Sequence, residues 1–278
     1  MLSFGSRLEH TFERRGQLCL GIDPHAFLLA DWELPDTAQG VRDFGLRAVD
    51  AAADVIGIVK PQVAFFERHG AAGYAALEDV LAAARAAGLL VIADVKRGDI
   101  GSTIEAYGSA WLRPGSTLEA DAMTVSAYQG VGSLAGPVSA AHDAGKGLFI
   151  LAATSNPESV STQTALRSSG RSVAAGIVDE VEILNQAAER LGSIGVVIGA
   201  TVYAADYGIA LESLRGTPIL APGYGEQGAV FADVRQRYGA ASGNVIVNVG
   251  RGVLRAGPSA LRGELSSTAE QLRAALAR

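Results

Sequence analysis

The sequence is poor in the residues that build disulfides, metal centres and nucleic-acid surfaces. It has a single cysteine, Cys19, so no internal disulfide can form, and its four histidines show no ligand spacing. The formal net charge is −6, and no run of Lys or Arg occurs. We therefore expect no metal site and no nucleic-acid partner, which leaves a small ligand held by local basic contacts.

Long hydrophobic segments are also missing. No stretch reaches the roughly 18 uninterrupted apolar residues that a membrane span needs. The segment from Met1 to Arg15 has no apolar core of the signal-peptide kind. These features predict a soluble, cytoplasmic protein without a membrane partner. Hydrophobic residues nevertheless make up 49% of the chain, which is enough for a large core.

Short apolar runs rich in β-branched residues recur along the whole chain and are typical of buried parallel strands. The eight runs are Leu18 to Asp23, Val55 to Pro61, Leu89 to Val95, Ala122 to Ala127, Gly147 to Thr154, Ile194 to Ala200, Pro218 to Pro222 and Val245 to Val249. Amphipathic segments such as Tyr74 to Ala87 and Asp179 to Leu191 separate them, at the spacing of about 30 residues that βαβ units show. The pattern predicts an α/β fold, a (β/α)8 barrel, with residues 1–278 forming one domain.

Working residues of such barrels lie at the carboxyl ends of the strands. Asp94 and Lys96 are two residues apart at the end of the third predicted strand, so both side chains should point into the barrel mouth. Lys60 ends the second strand and Asp99 follows in the next turn, which predicts a balanced cluster of four charges. A structural ion pair is the alternative, but burying charges costs several kcal/mol per ion, and this favours a functional site.

Two further strand ends carry polar residues. Asp23 ends the first strand, where it is either a helix cap or a ligand contact. Asn248 ends the eighth strand. Arg97 directly follows Lys96, so its side chain should point to the opposite face of the strand, outward, as a solvated charge. Neither Asn248 nor Thr124, on the fourth strand, receives a role.

The loops after the seventh and eighth strands are rich in glycine. The segment from Gly223 to Gly228 matches the dinucleotide pattern G-x-G-x-x-G, but that pattern belongs to the first βα turn of an open sheet. In barrels the same two loops frequently hold a phosphate through backbone N–H groups. We therefore predict a phosphate site formed by Gln227, Gly250 and Arg251.

These residues resemble the orotidine 5′-phosphate decarboxylase family, in its bacterial branch with longer loops. Residues 93 to 100 are similar to the family's D-x-K-x-x-D-I signature. The other matching segments follow the family's order: Gly21-Ile22-Asp23-Pro24, Val59-Lys60-Pro61, Phe65-Phe66-Glu67, Thr154-Ser155-Asn156-Pro157, Ala221-Pro222-Gly223 with Gln227, and Val249-Gly250-Arg251-Gly252. Related magnesium-dependent phosphosugar enzymes share the signature but typically have an acidic residue where this chain has Lys60.

The resemblance implies a carbon-carbon lyase that decarboxylates orotidine 5′-phosphate to uridine 5′-phosphate in pyrimidine biosynthesis without a cofactor. It implies that Lys96 protonates C6 of the pyrimidine and that Asp94 lies against the departing carboxylate. Lys60 would bridge the carboxylates and the ribose. Asp99 and Ile100 would reach into the neighbouring subunit's site in a homodimer with shared active sites.

The resemblance also implies the substrate contacts. Asp23 would hold a ribose hydroxyl and Ser155 the pyrimidine edge. Gln227, Gly250 and Arg251 would bind the phosphate, in agreement with the prediction from the glycine-rich loops.

Three alternatives stay open. A magnesium-dependent phosphosugar lyase would hold its metal through Asp23 and Asp94. A Schiff-base aldolase would use Lys96, although flanking carboxylates keep that ammonium charged and poorly nucleophilic. A barrel that only binds nucleotides would need no buried carboxylate beside a lysine.

Overall fold

The computed structural model describes residues 2–277. Eight parallel strands close into a barrel in chain order, and the last strand pairs with the first. The strands are β1 Leu18–Ile22, β2 Ile58–Pro61, β3 Leu90–Arg97, β4 Ala122–Val125, β5 Gly147–Ala153, β6 Ile194–Ile198, β7 Ile219–Pro222 and β8 Val245–Val249. The predicted (β/α)8 fold class is confirmed, and each predicted strand overlaps an observed one.

Residues 2–277 also contain twelve α-helices. They are α1 Phe4–Arg15, α2 Ala26–Asp31, α3 Ala38–Ala52, α4 Ala64–Glu67, α5 Gly70–Ala86, α6 Gly101–Leu112, α7 Ala135–Asp143, α8 Val160–Gln163, α9 Val173–Leu184, α10 Val234–Tyr238, α11 Arg251–Leu254 and α12 Leu261–Ala277. Within the described part of the chain, no helix has the length and apolarity needed to cross a membrane.

The barrel interior is filled by alternate strand residues, and α1 closes its amino-terminal end. Inward side chains such as Cys19, Ile58 and Phe149 form one apolar cluster with Phe4 and Leu8 of α1. The ring of Phe4 meets that of Phe149 edge to face, with centroids 5.9 Å apart. Because this end is packed shut, the carboxyl ends of the strands form the open mouth of the barrel.

Two connections differ from the sequence-based expectation. The predicted helix from Asp179 to Leu191 lies earlier, as α9, because Asn185 ends it and bonds both backbone groups of Ile194 at the start of β6. Between β6 and β7 the chain forms two short 3-10 helices, at 204–207 and 211–214, where we expected an α-helix. Gly208, with φ of 68°, ends the first of them in the left-handed region that favours glycine.

Candidate active site

Three of the predicted charges meet at the mouth of the barrel. The carboxylate of Asp94 accepts from Lys60 Nζ at 2.7 Å through Oδ2 and from Lys96 Nζ at 2.6 Å through Oδ1. The side chains of Lys60 and Asp94 are only 5% and 10% exposed, whereas that of Lys96 is 45% exposed. One buried carboxylate therefore lies between a buried ammonium and an open one.

Lys96 reaches this position through an irregularity in β3, which simple strand alternation did not predict. The β3–β4 ladder is interrupted between Ala93 and Arg97, and Lys96 has a φ of 47°. A left-handed backbone is uncommon for a residue with a side chain and is costly to hold. The side chains of Lys96 and Asp94 meet at the barrel mouth, as we expected. They do so through a left-handed backbone at Lys96 and not through regular strand alternation.

Two further residues complete the shell of donors around Asp94. Thr124 Oγ1 donates to Oδ1 at 2.8 Å. Gln62, with its amide nitrogen facing the carboxylate, donates to Oδ2 at 2.7 Å. Each oxygen of Asp94 thus accepts two hydrogen bonds, which fits a carboxylate that stays ionised. Gln62 and Thr124 were missed in the sequence, although both share the parity of an inward neighbour, Lys60 or Ala122.

The pKa shifts of the buried pair follow from these contacts. Burial opposes the ionisation of Asp94, but the ammonium groups of Lys60 and Lys96 outweigh it and lower the pKa of this carboxyl. Burial also opposes the charge on Lys60, yet the carboxylates of Asp94 and Asp23 outweigh it and raise the pKa of Lys60. Both residues are consequently charged at neutral pH.

Asp99 does not join the cluster within this chain. Its Oδ1 accepts from the backbone N–H of Ile100 at 2.8 Å, and it forms no ion pair with a described residue. Ile100 is 61% exposed. Only three of the four predicted charges are paired within the described chain, so the expected cluster of four is wrong for a single chain.

Most of the predicted substrate contacts line one cavity of about 310 Å³ at the mouth. Its lining includes Asp23, Lys60, Gln227, Gly250 and Arg251. One carboxylate oxygen of Asp23 is buried without a hydrogen-bond partner in the described chain, and the cap role is not seen. Buried polar atoms normally have partners, so this oxygen is available to a ligand.

Ser155 lies beside the cavity, where it connects two loops. Its hydroxyl donates to Gln227 Oε1 at 3.0 Å, which joins the loop after β5 to the loop after β7. The lining also includes His25, Tyr224 and Asn248, which the sequence did not assign. Of these, Asn248 Oδ1 is buried without a partner among the described residues, so it too is available to a ligand.

Arg97 faces away from the cluster, as its parity predicts, but it is not simply solvated. It pairs with Glu67 at 2.9 Å and lies over the ring of Tyr107 at 5.5 Å. The residue after Lys96 is thus held by its own partners on the helices outside the barrel.

The arrangement can bind an anion at one end and act on a proton at the other. Arg251 forms no ion pair with residues 2–277 and lies at the start of α11, after the glycine-rich loop. The ammonium of Lys96 is 45% exposed and lies 2.6 Å from the carboxylate of Asp94, which lines the same cavity as Arg251. This combination defines an α/β-barrel protein with a charged cavity at the carboxyl ends of its strands.

Comparison with known proteins gives the family. The model of the orotidine 5′-phosphate decarboxylase / HUMPS family matches residues 16–264. The chain belongs to this family. Proteins named orotidine 5′-phosphate decarboxylase from Salinispora arenicola and Streptomyces coelicolor are 49% and 48% identical to it, each over 99% of both chains.

Solved structures agree with this assignment. A crystal structure of a proposed orotidine 5′-phosphate decarboxylase from Streptomyces avermitilis superimposes with a TM-score of 0.96 at 49% identity, over 100% of this chain and 97% of that one. The Leishmania donovani OMP decarboxylase covers 100% of both chains, with a TM-score of 0.80 at 29% identity. The resemblance seen in the sequence is confirmed.

The buried ion pair gives a stability prediction. Asp94→Asn leaves the Lys60 ammonium buried without its counter-charge, so the free energy of unfolding at pH 7 should fall by about 3–5 kcal/mol. The wild-type contribution is present above the unfolded pKa of Asp, about 4, and is lost as the pH falls toward the lower folded pKa. In urea denaturation, the difference in the free energy of unfolding between the wild-type protein and Asp94→Asn should therefore become smaller from pH 7 to pH 2.5.

Asp99→Asn is the matched control, because its Oδ1 bond to the backbone is retained. It should change the free energy of unfolding by no more than about 0.5 kcal/mol. If the stability difference between Asp94→Asn and the wild-type protein stayed constant across this pH range, the ionised Asp94 carboxylate would not be its cause.

Proposed function

We propose that this protein decarboxylates orotidine 5′-phosphate to uridine 5′-phosphate and CO2, as a cytoplasmic carbon-carbon lyase whose residues 1–278 form one domain. Family membership and the names of the similar proteins support this substrate. The observation that carries the proposal is the Lys60–Asp94–Lys96 array at the barrel mouth. A lysine at the end of β2 distinguishes this site from those of the related magnesium-dependent phosphosugar enzymes, which typically have an acidic residue there.

The substrate would lie along the cavity with its phosphate at the glycine-rich end. Gln227, Gly250 and Arg251 line that end and supply the phosphate contacts. The unpartnered oxygen of Asp23 accepts from a ribose hydroxyl. Lys60 pairs with Asp94 at 2.7 Å, and the carboxylate of Asp23 also stabilises its charge, which supports a role for Lys60 in bridging the ribose and the carboxylates.

Ser155 would meet the pyrimidine edge and Asp94 the departing carboxylate. The hydroxyl of Ser155 donates to Gln227 Oε1 at 3.0 Å, which supports a base contact close to a phosphate contact. In the reaction, the bond between C6 and the carboxyl carbon breaks and CO2 leaves. The electron pair stays on C6, where the Lys96 ammonium supplies the proton.

Repulsion between Asp94 and the substrate carboxylate cannot provide the whole acceleration. Two like charges 4 Å apart repel by about 4 kcal/mol at an effective dielectric constant near 20, whereas enzymatic accelerations require roughly 8 to 23 kcal/mol. We assign the larger share to Lys96, whose charge lies where negative charge develops, and to binding energy from the phosphate.

Lys96→Ala should abolish decarboxylation while affinity for uridine 5′-phosphate largely survives, because the proposed phosphate and ribose contacts lie on other strands. The loss of the orotidine absorbance band measures turnover, and titration calorimetry measures binding of the product. A variant that keeps about a tenth or more of the wild-type rate, a loss below about 1.4 kcal/mol, would remove Lys96 from this role.

The magnesium-dependent alternative is tested by chelation. The ammonium of Lys60 lies 2.7 Å from Asp94, where that alternative would place a cation, and its charge disfavours a divalent ion at the same carboxylate. Turnover of orotidine 5′-phosphate should therefore be unchanged after EDTA treatment and dialysis. Loss of activity that magnesium restores would favour the phosphosugar lyase.

Arg251→Ala tests the phosphate site. Turnover of orotidine 5′-phosphate should fall severely, whereas turnover of orotidine, which lacks the phosphate, should change little because it never uses this contact. The measurement is kcat/KM for both substrates with the same variant. Equal losses for the two substrates would mean that Arg251 supports the fold.

We further propose a homodimer in which Asp99 and Ile100 complete the partner's site. Two observations support it: Asp99 has no cationic partner in its own described chain, and Ile100 is an exposed apolar side chain at the mouth. Both lie in the turn after β3, where the chain leaves its own barrel.

Mixing two inactive variants tests the shared site. Lys96→Ala and Asp99→Ala proteins should each be inactive, yet a heterodimer of the two contains one site with both residues intact. Random exchange makes about half of the dimers heterodimers, so activity should approach about a quarter of wild type. Mixtures that stay inactive after proven exchange would place Asp99 in its own subunit's site, and a monomer in solution would refute the dimer.

A further inference from the structure

Thr124 faces the point where β3 leaves its ladder with β4. Pairing is regular at Ala93 with Met123 and resumes at Arg97 with Val125, so β3 advances four residues while β4 advances two. The inserted residues include Asp94 and Lys96. Thr124 lies opposite them and is only 1% exposed.

The hydroxyl of Thr124 bonds both inserted residues. It accepts from the backbone N–H of Lys96 at 2.9 Å and donates to Asp94 Oδ1 at 2.8 Å. An N–H only donates and a carboxylate only accepts, so the single hydroxyl proton must point at Asp94. The direction of both bonds is therefore fixed by chemistry.

We propose that Thr124 is a positioning residue that sets the geometry of Lys96 and Asp94 for the reaction, an inference that rests on the proposed function. The oxygen of its hydroxyl accepts the N–H of Lys96, which has no ladder hydrogen bond to β4. This bond stabilises the left-handed backbone of Lys96. Its proton orients the carboxylate so that Lys60 and Lys96 bond opposite oxygens. The hydroxyl thus keeps the Lys96 ammonium beside Asp94.

A purely structural role makes a different prediction. Thr124 is buried, so losing its hydroxyl leaves an unpaired N–H and lowers stability whether or not Lys96 needs positioning. Only the positioning role also lowers kcat in molecules that remain folded, because a displaced ammonium affects the chemical step more than binding of the phosphate and ribose.

The test compares Thr124→Val, which keeps the shape but lacks the hydroxyl, with Thr124→Ser, which keeps the hydroxyl. Thr124→Val should lose about 10- to 100-fold in kcat, the effect of losing a hydrogen bond to a charged group, with KM changed by no more than about threefold. Thr124→Ser should stay within about threefold of the wild-type kcat. Thr124→Ala, which also lacks the hydroxyl, replaces the valine variant if the latter does not fold.

Thr217→Val is the matched control. Thr217 is equally buried, just before β7 at the opposite end of the barrel, and its hydroxyl accepts from Asn185 at 3.4 Å. This variant should shift the melting temperature without changing kcat. A Thr124→Val protein with wild-type kcat, or a Thr124→Ser protein as slow as Thr124→Val, would overturn the proposal.

A readout besides activity separates this proposal from the proposed function. In a crystal structure of Thr124→Val, Lys96 should leave the left-handed region and its Nζ should move out of hydrogen-bond range of Asp94. If the wild-type protein does not turn over orotidine 5′-phosphate, the proposed function fails while this structural outcome still tests the positioning. An unchanged Lys96 in the variant structure would refute it.

Discussion

The carboxylate of Asp94, placed between two ammonium groups, is the interaction on which the site depends. Lys60 is almost fully buried and is charged only because Asp94 and Asp23 face it. Asp94 in turn stays ionised in a buried position because each oxygen accepts two hydrogen bonds. Removing Asp94 leaves the buried Lys60 without its bonded counter-charge, and removing Lys60 leaves the buried Asp94 with only the exposed Lys96. The interruption of β3 is the local cost of bringing Lys96 into this array of charges.

The second requirement is that binding energy from the phosphate reaches the chemical centre. The proposed phosphate contacts line the same cavity as Lys60 and Asp94, and Ser155 bonds Gln227 across the loops after β5 and β7. A ligand that orders the phosphate loop therefore also holds the residue proposed to meet the base. Coupling of this kind lets contacts far from C6 contribute to transition-state stabilisation. Such a contribution is needed because repulsion between Asp94 and the substrate carboxylate is too small to supply the whole of it.

The sequence was sufficient for the barrel because each strand is a short apolar run that is buried on both faces, and for the strand-end charges because barrel topology brings strand ends together. It was not sufficient for Gln62 and Thr124, because their part in the site rests on hydrogen bonds to Asp94 that a strand pattern does not show. Nor did it predict that Asn185 would end α9 early, because that depends on a contact with Ile194 across the fold. Residues placed by periodicity were predictable, and residues placed by irregular backbone were not.

Buried charge alone does not mark the site, as the opposite end of the barrel shows. There Asp121 accepts from Arg7, Lys146 and the backbone of Val91, and it is as buried as Lys60 at the mouth. Its charges are matched within the described chain. At the mouth, by contrast, Asp23 and Asn248 keep buried oxygens without partners, and Arg251 has no ion pair among residues 2–277. A closed network stabilises a fold, whereas unmet polar groups around a network indicate where a ligand belongs. The unpartnered oxygens of Asp23 and Asn248 thus add to the charged array as evidence that the ligand binds at the carboxyl ends of the strands.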